Sequence, residues 1–198
     1  MTAQFDEYFM KMALREAEKA ASEDEVPLGA VVVAPAVLEP AHDGHPAVFD
    51  PNPAVARILG RAHNMSEGMK DATAHAEMLA MSAAFQAVGD WRLTGARLYV
   101  TKEPCPMCAG AIVLARLDAV VWGVGDPKRG GGTAFGIFDH PGINHHPAIV
   151  AGICEMESKA MLQGFFQERR SARSVNTAHA VLPIEKLNEI LVLRQRIQ

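Results

Sequence analysis

Two of the three cysteines in this chain, Cys105 and Cys108, stand three positions apart in the stretch TKEPCPMCAGAIVLARL. Prolines flank the first, and a small, apolar, helix-like run follows the second. Thiols at i and i+3 across the first turn of a helix can clasp one metal ion. The helix N-terminus favours their thiolate form through its dipole and unpaired amides. Zinc takes four ligands drawn from thiolate, imidazole, carboxylate and water. The remaining cysteine, Cys154, has no partner at metal-binding spacing, so a four-thiolate site within the chain is excluded. His75, which heads its own helical segment, is the candidate third ligand. Three protein ligands leave one corner for water, the arrangement of catalytic rather than structural zinc sites. Zinc brings the pKa of such a water toward about 7. Glu77, two residues after His75, is placed to take a proton from that water and hand it to a departing group. The set fits hydrolysis at an electrophilic carbon.

Each part alone has an ordinary explanation. A CxxC pair is often redox-active, a histidine at a helix start is usually a cap or a surface residue, and Glu77 is a typical first-turn acid. A redox pair, however, normally follows a strand of a thioredoxin-like fold, and the N-terminal helix here does not suit one. The words HAE and PCPMC, each heading a helix, carry more together than apart.

The elements that must hold these residues alternate. Phe5 to Ala21 has apolar residues at helical spacing. VPLGAVVVA is a β-branched run, giving a central strand at about Ala30 to Val33. The segment PAVLEPAHDGHPAVFDPNPAVA, rich in Pro, His and Asp, breaks both periods and reads as a long loop or an elongated hairpin tip. Strand character resumes at Val55 to Ala62. The helix of AHAEMLAMSAAFQAV follows, with Thr73 expected as its cap. Leu98 to Thr101 is a short strand, Ala109 to Ala115 is helix, and AVVWGV is another strand. A loop rich in glycine and histidine leads to a strand at Ile149 to Ile153 and a helix from Glu155 to about Arg170. A polar tail and a further helix in LPIEKLNEILVLRQRI close the chain. Alternating strands and helices predict a sheet of about five strands covered by helices. Pattern alone leaves their order open.

The 198 residues suit one domain, and 49% hydrophobic with 21% charged residues is ordinary soluble composition. Three cysteines are no disulfide scaffold and suit a reducing compartment. The acidic opening MTAQFDEYFM is unlike a leader, and no apolar run approaches about 18 residues, so a cytoplasmic chain without membrane spans is expected. The net charge of -4 argues against a general polyanion binder while leaving room for local basic clusters.

The pattern H-x-E…P-C-x-x-C marks the zinc nucleobase deaminases. The words PLGAVVV, AHN, DATAHAEMLA, LYVTKEPCPMCAGAI, VVWGV, DPK, PGINH and FFQERR make the chain resemble the bacterial tRNA adenosine deaminases, within the cytidine/deoxycytidylate deaminase superfamily. The resemblance spans roughly Phe5 to Arg170. It implies a three-layer α/β/α sandwich with a central five-stranded mixed sheet, cytidine deaminase-like. It implies a deaminase domain over residues 1–170, interrupted by a loop or hairpin at about 34–54, and a C-terminal extension over 171–198. It implies a homodimer with one Zn2+ per subunit, held by His75, Cys105 and Cys108, with Glu77 shuttling protons. The substrate would be the anticodon arm of an arginine tRNA, whose wobble adenosine becomes inosine. Asn64 would hydrogen-bond the flipped base and the amide of Ala76 would meet its polar edge. Asp126 and Lys128 would border the base pocket, and Asn144 and His145 would lie near the anticodon nucleotides. Arg129, Arg169 and Arg170, with Lys128 and Arg173, are candidates for the RNA backbone. Phe135 and Phe138 are candidate stackers, though a pair at i and i+3 is more often core.

The chain departs from the family pattern in places. Ala72 stands where the family has proline before the metal histidine, and His146 where a basic residue usually follows the NH pair. The 34–54 segment and the tail have no counterpart in compact members. The segment reads as a hairpin extension, or as a part that shapes the dimer or the substrate mouth. Two other functions share the same four residues: a deaminase of free guanine, cytosine or a nucleoside, and a non-catalytic zinc module or partner subunit. A proton shuttle beside the metal argues against the last.

Overall fold

A computed structural model describes residues 1–39 and 47–179, with side chains to residue 172. The expected final helix, Arg173 as a phosphate contact and the middle of the 34–54 segment lie outside what is described. The chain forms two compact units, Met1–Leu162 and the part from Gln163 onward.

Helix α1 (Ala3–Ser22) opens the chain, capped by Thr2, whose hydroxyl accepts from the Phe5 amide. Strand β1 (Gly29–Ala34) follows, and β2 (Val37–Glu39) pairs antiparallel with β3 (Val48–Phe49). Strand β4 (Arg57–His63) starts later than its β-branched pattern suggested. Pro53 begins a single 3-10 turn capped by Asn52, which uses up Val55. Then come α2 (Ser66–Met69), α3 (Ala76–Val88), β5 (Arg97–Lys102), α4 (Pro106–Leu114), β6 (Ala119–Val124), β7 (Ala148–Ala151) and α5 (Glu155–His179). Helix α4 begins at Pro106, so Cys108 lies in its first turn as expected; proline is favoured at the first helical position, where its missing N–H costs nothing. Helix α5 continues past Arg170 to His179.

The main sheet has the order β4-β1-β5-β6-β7. Strand β1 is antiparallel to both β4 and β5, while β5, β6 and β7 are parallel. Every strand but β1 therefore runs the same way. Side chains alternate between two apolar clusters, as the period of two requires. Ala30, Val32, Leu98, Val100, Val120 and Trp122 join the cluster that takes in α3 and α4. Val31, Val33, Tyr99 and Val121 join Phe5, Phe9, Met10 and Ala13 of α1. The result is a five-stranded mixed sheet with helices on both faces, as expected from the resemblance. Gly60 permits a close approach of helix to sheet. A Cβ there would come within 2.2 Å of the Ala80 carbonyl oxygen in α3.

The strand directions decide where function collects. The segments that follow β4, β5 and β6 leave the same edge of the sheet, and the segment that enters β1 arrives there. In open α/β sheets, ligand sites form beyond the carboxyl ends of the strands. Among the described residues, no helix is long and apolar enough to cross a membrane.

Candidate metal centre and active site

Strand β5 delivers Glu103, Pro104 and Cys105 directly to that edge. Cys105 becomes the N-cap of α4, and Cys108 lies in its first turn. His75 is the N-cap of α3, and neither N-cap makes a side-chain capping bond. The expected capping by Thr73 is corrected: its amide and hydroxyl both donate to Asp71 Oδ1, at 2.8 and 2.7 Å. The Asx turn at Asp71 takes Thr73 before the helix begins, which leaves the imidazole of His75 free to point elsewhere.

It points at the thiols. His75 Nδ1 lies 3.6 Å from Cys105 Sγ and 3.5 Å from Cys108 Sγ, and the two sulfurs are 3.7 Å apart. Tetrahedral zinc with ordinary bond lengths needs N–S edges of about 3.6 Å and an S–S edge of about 3.8 Å. The triangle already has that size. The three residues form a cluster able to hold a metal ion, and no fourth side chain joins it among the described residues. Two thiolates and an imidazole suit zinc better than calcium or magnesium, which prefer oxygen.

Glu77 is 4% exposed, and its Oε2 has no hydrogen-bond partner. A buried carboxylate oxygen left unpaired in a folded protein needs an explanation, and a water or substrate atom at the fourth corner would supply one. The cluster divides its protons unequally. A hydrogen bond from Cys108, aided by one from His75 and opposed by burial, holds the Cys105 thiol down to about 3. Cys108 moves far up, first through its bond to Cys105, then through burial and the neighbouring Glu77. The bond to Cys105 raises His75. Burial raises Glu77 above its ordinary value.

Asn64 follows β4 directly and is buried at the same edge. The Met65 amide donates to the Ala74 carbonyl at 3.0 Å, which ties the Asn64 segment to the residue before His75. Ala76 is the first residue of α3 and fully buried. Asp126 follows β6, where it contacts the Lys102 ammonium, and its Oδ1 accepts from the amides of Lys128 and Arg129. The side chains of Lys128 and Arg129 are exposed on this loop.

Asn144 and His145 are not brought to this edge. They precede β7, so they lie at the opposite end of the sheet, where Arg116 donates to the Asn144 carbonyl at 2.7 Å. His145 Nε2 donates to the Leu117 carbonyl at 2.6 Å. Phe138 is core, packed against Trp122 at a centroid distance of 6.4 Å, whereas Phe135 is exposed. Within the unit that starts at Gln163, the Arg169 guanidinium covers the Phe165 ring at 4.7 Å and Arg170 is exposed.

Sequence reasoning missed Glu103. It is buried, and its two oxygens accept from the amides of Asp126, Gly132 and Thr133 and from the Thr133 hydroxyl, at 2.7 to 3.2 Å. The loop after β6 is thus pinned to the residue two before Cys105. Gly130 is required there, since a Cβ would sit 2.2 Å from Glu103 Cδ. The signal available in sequence was an acid beside the PCPMC word, facing a later GGG run. Glu103→Ala takes the buried acceptor away from the Asp126, Gly132 and Thr133 donors, at a cost of about 3 kcal/mol. In a domain of this size that lowers Tm by roughly 6–12 °C, read by calorimetry, with Glu103→Gln falling between.

Lys102 and Asp126 predict a pH effect. Burial pulls the Asp126 carboxyl up, but the Lys102 ammonium and the Lys128 and Arg129 amides outweigh it, and the net shift is down from 3.8. A carboxylate lowered in the folded state contributes stability above its unfolded pKa and loses it as pH falls through the folded value. Wild-type Tm is expected to drop more steeply than that of Asp126→Asn on acidification below about pH 4.

Comparison with known proteins agrees with this geometry. The cytidine and deoxycytidylate deaminase zinc-binding region matches residues 3–124. A tRNA-specific adenosine deaminase of Bacillus subtilis (strain 168) is 43% identical over 169 residues, covering 85% of this chain and 92% of that protein. Its counterpart from Agrobacterium fabrum is 41% identical over 165 residues, covering 82% and 95%. A solved structure of a deaminase that edits adenosine to inosine at the tRNA wobble position superposes with a TM-score of 0.65. It shares 38% identity and covers 78% of this chain and 99% of that one. A guanine deaminase from Nitrosomonas europaea, at 18% identity and a TM-score of 0.59 over 80% and 83% of the two chains, shares the fold. With its helix-mouth triangle of one imidazole and two thiols, the chain belongs to the cytidine and deoxycytidylate deaminase superfamily, and within it to the family of tRNA-specific adenosine deaminases.

Proposed function

We propose that this protein hydrolyses the wobble adenosine of a tRNA anticodon to inosine, releasing ammonia. The observation that carries the reading is the His75–Cys105–Cys108 triangle beside the unpartnered, buried Oε2 of Glu77. The near relatives, whose own substrate is tRNA adenosine, support the choice of base and polymer.

His75, Cys105 and Cys108 would hold one Zn2+ per subunit. When bound, Zn2+ supplies Lewis acidity that lets water ionise near neutral pH. Glu77 accepts the proton of the attacking water. As oxygen bonds to C6 and the C–N bond breaks, Glu77 returns a proton to the leaving amine. Burial suits it to this work, because a carboxyl with a raised pKa holds its proton more readily until the amine takes it. Asn64 hydrogen-bonds the base, and the Ala76 amide, at the start of α3, meets the ring's polar edge. Asp126 and Lys128 border the pocket on the loop that Glu103 fixes.

An anticodon base is unpaired before it binds, so extruding it costs little. Arg129, Arg169 and Arg170 offer cations to phosphates on an otherwise acidic chain. From the far edge of the sheet, Asn144 and His145 serve nucleotides away from the reacting base. The deaminase domain extends to about residue 170, the remainder is an extension, and the active form is a cytoplasmic homodimer acting on an arginine tRNA.

The test is direct. The zinc-loaded protein is incubated with an arginine tRNA anticodon stem-loop and, separately, with free adenosine, guanine and cytosine. Products are read by mass spectrometry of the nucleosides. Inosine is expected in the RNA alone. Turnover of a free base, with none in RNA, would replace the tRNA reading with that of a small-molecule deaminase.

A further inference from the structure

Glu25 is buried at 2% exposure, two residues before the PLGAVVV word, and residue type alone assigned it no role. It lies between α1 and β1, on the segment that enters the functional edge of the sheet. Its amide is anchored on the Ala20 carbonyl at 2.9 Å. Its Oε1 accepts from the Gly68 amide at 2.7 Å, and its Oε2 accepts from Asn64 Nδ2 at 3.0 Å. The backbones of the two segments are also joined, the Asn64 amide donating to the Leu28 carbonyl at 2.9 Å.

Both partners of Glu25 are donors. A carboxylate accepts on both oxygens and donates on neither. Asn64 therefore has one way to face it, with Nδ2 toward Glu25 and Oδ1 turned away. The Ser66 hydroxyl reaches Oδ1 at 3.5 Å, a length at which it steers little. What remains of Asn64 for a ligand is Oδ1 and its second N–H, in a fixed left-to-right order.

We propose that Glu25 is a positioning residue for the deaminase. It sets the amide orientation of Asn64, and so the order of acceptor and donor that the site presents to the base. The inference rests on Asn64 contacting substrate, as proposed above. It adds a residue that touches neither metal nor base. An amide in place of Glu25 offers one acceptor and one donor to two donors. Either the Gly68 amide or Asn64 must lose its bond, and rotation of the Asn64 amide relieves the conflict by reversing what the base meets. Glu25→Asp, which keeps acceptor-only chemistry on a shorter arm, preserves the order.

The experiment compares the full-length, zinc-loaded wild type with Glu25→Gln, Glu25→Asp, Asn64→Ala and the double variant Glu25→Gln/Asn64→Ala. Readouts are kcat and KM on the anticodon stem-loop, zinc content, Tm, and the 15N side-chain amide signals of Asn64. Glu25→Gln is expected to lower kcat/KM by about 10–100-fold with zinc content unchanged. Glu25→Asp should retain more activity than Glu25→Gln. The double variant should be no worse than Asn64→Ala, because Glu25 acts through Asn64. The Asn64 amide pair should move in Glu25→Gln and hold its place in Glu25→Asp. Wild-type kcat/KM in Glu25→Gln, or losses that multiply in the double variant, would overturn the proposal. So would an unmoved Asn64 signal in Glu25→Gln. Should the wild type fail to make inosine in RNA, the tRNA reading falls on its own, and the amide signals still decide whether Glu25 orients Asn64.

Discussion

Glu77→Gln is expected to keep the metal and lose almost all turnover. The amide is nearly isosteric and leaves the three ligand residues untouched, so zinc content by elemental analysis should match the wild type. An amide cannot accept the proton of water and pass it on, and a positioned acid–base group contributes up to about 10,000-fold. A fall of about 1,000-fold or more in inosine formation is expected, from kcat with little change in KM, since the shuttle acts as bonds rearrange. Stability should move the other way. Burial without a partner for Oε2 makes the ionised carboxylate costly in the metal-free fold. The metal-free variant should therefore melt no lower than the metal-free wild type. Wild-type turnover by Glu77→Gln would end the shuttle assignment, and a lost metal would move Glu77 into the ligand set.

Cys108→Ala should strike the metal itself. Cys108 is fully buried, and the triangle has no fourth side chain in reserve among the described residues. Losing one of three protein ligands is expected to weaken zinc binding by more than about 100-fold, beyond what changes around an intact ligand set cause. Activity should follow occupancy. A chelator should bring the wild type to the same inactive endpoint, and added Zn2+ should restore the wild type but not Cys108→Ala. The control is Cys154→Ala. Cys154 belongs to no metal-capable group among the described residues, so zinc and activity should stay. Full zinc content in Cys108→Ala would show that the ion is held by another set of atoms.

Much of this was legible in the chain. The apolar runs of β1, β5 and β6 read as strands from residue type alone, while their alternation between two apolar clusters is a product of the fold. His75, Glu77, Cys105 and Cys108 were identifiable because ligand chemistry is tied to residue type and close spacing. Caps were less legible. Thr73 has the right chemistry for one, yet the nearer Asp71 captured it, and a three-residue competition of that kind leaves no periodic trace. Phe135 and Phe138 look alike in sequence; only the packing on Trp122 separates core from surface.

Glu25 and Glu103 mark where sequence stops. Each is an ordinary acid by composition, and each is buried because its hydrogen-bond partners arrive from distant segments: Asn64 and Gly68 for one, Asp126, Gly132 and Thr133 for the other. Those meetings depend on strand direction. Because β1 alone runs opposite to its neighbours, the segments around Glu25, Asn64, Cys105 and Asp126 share one edge while Asn144 and His145 go to the other. The sequence by itself determined which atoms could bind a metal and move a proton, since that is set by the side chains and their local spacing. Only the tertiary structure decided which residues surround them and how each is oriented, because contacts between segments far apart in the chain exist only once the sheet order brings their ends together.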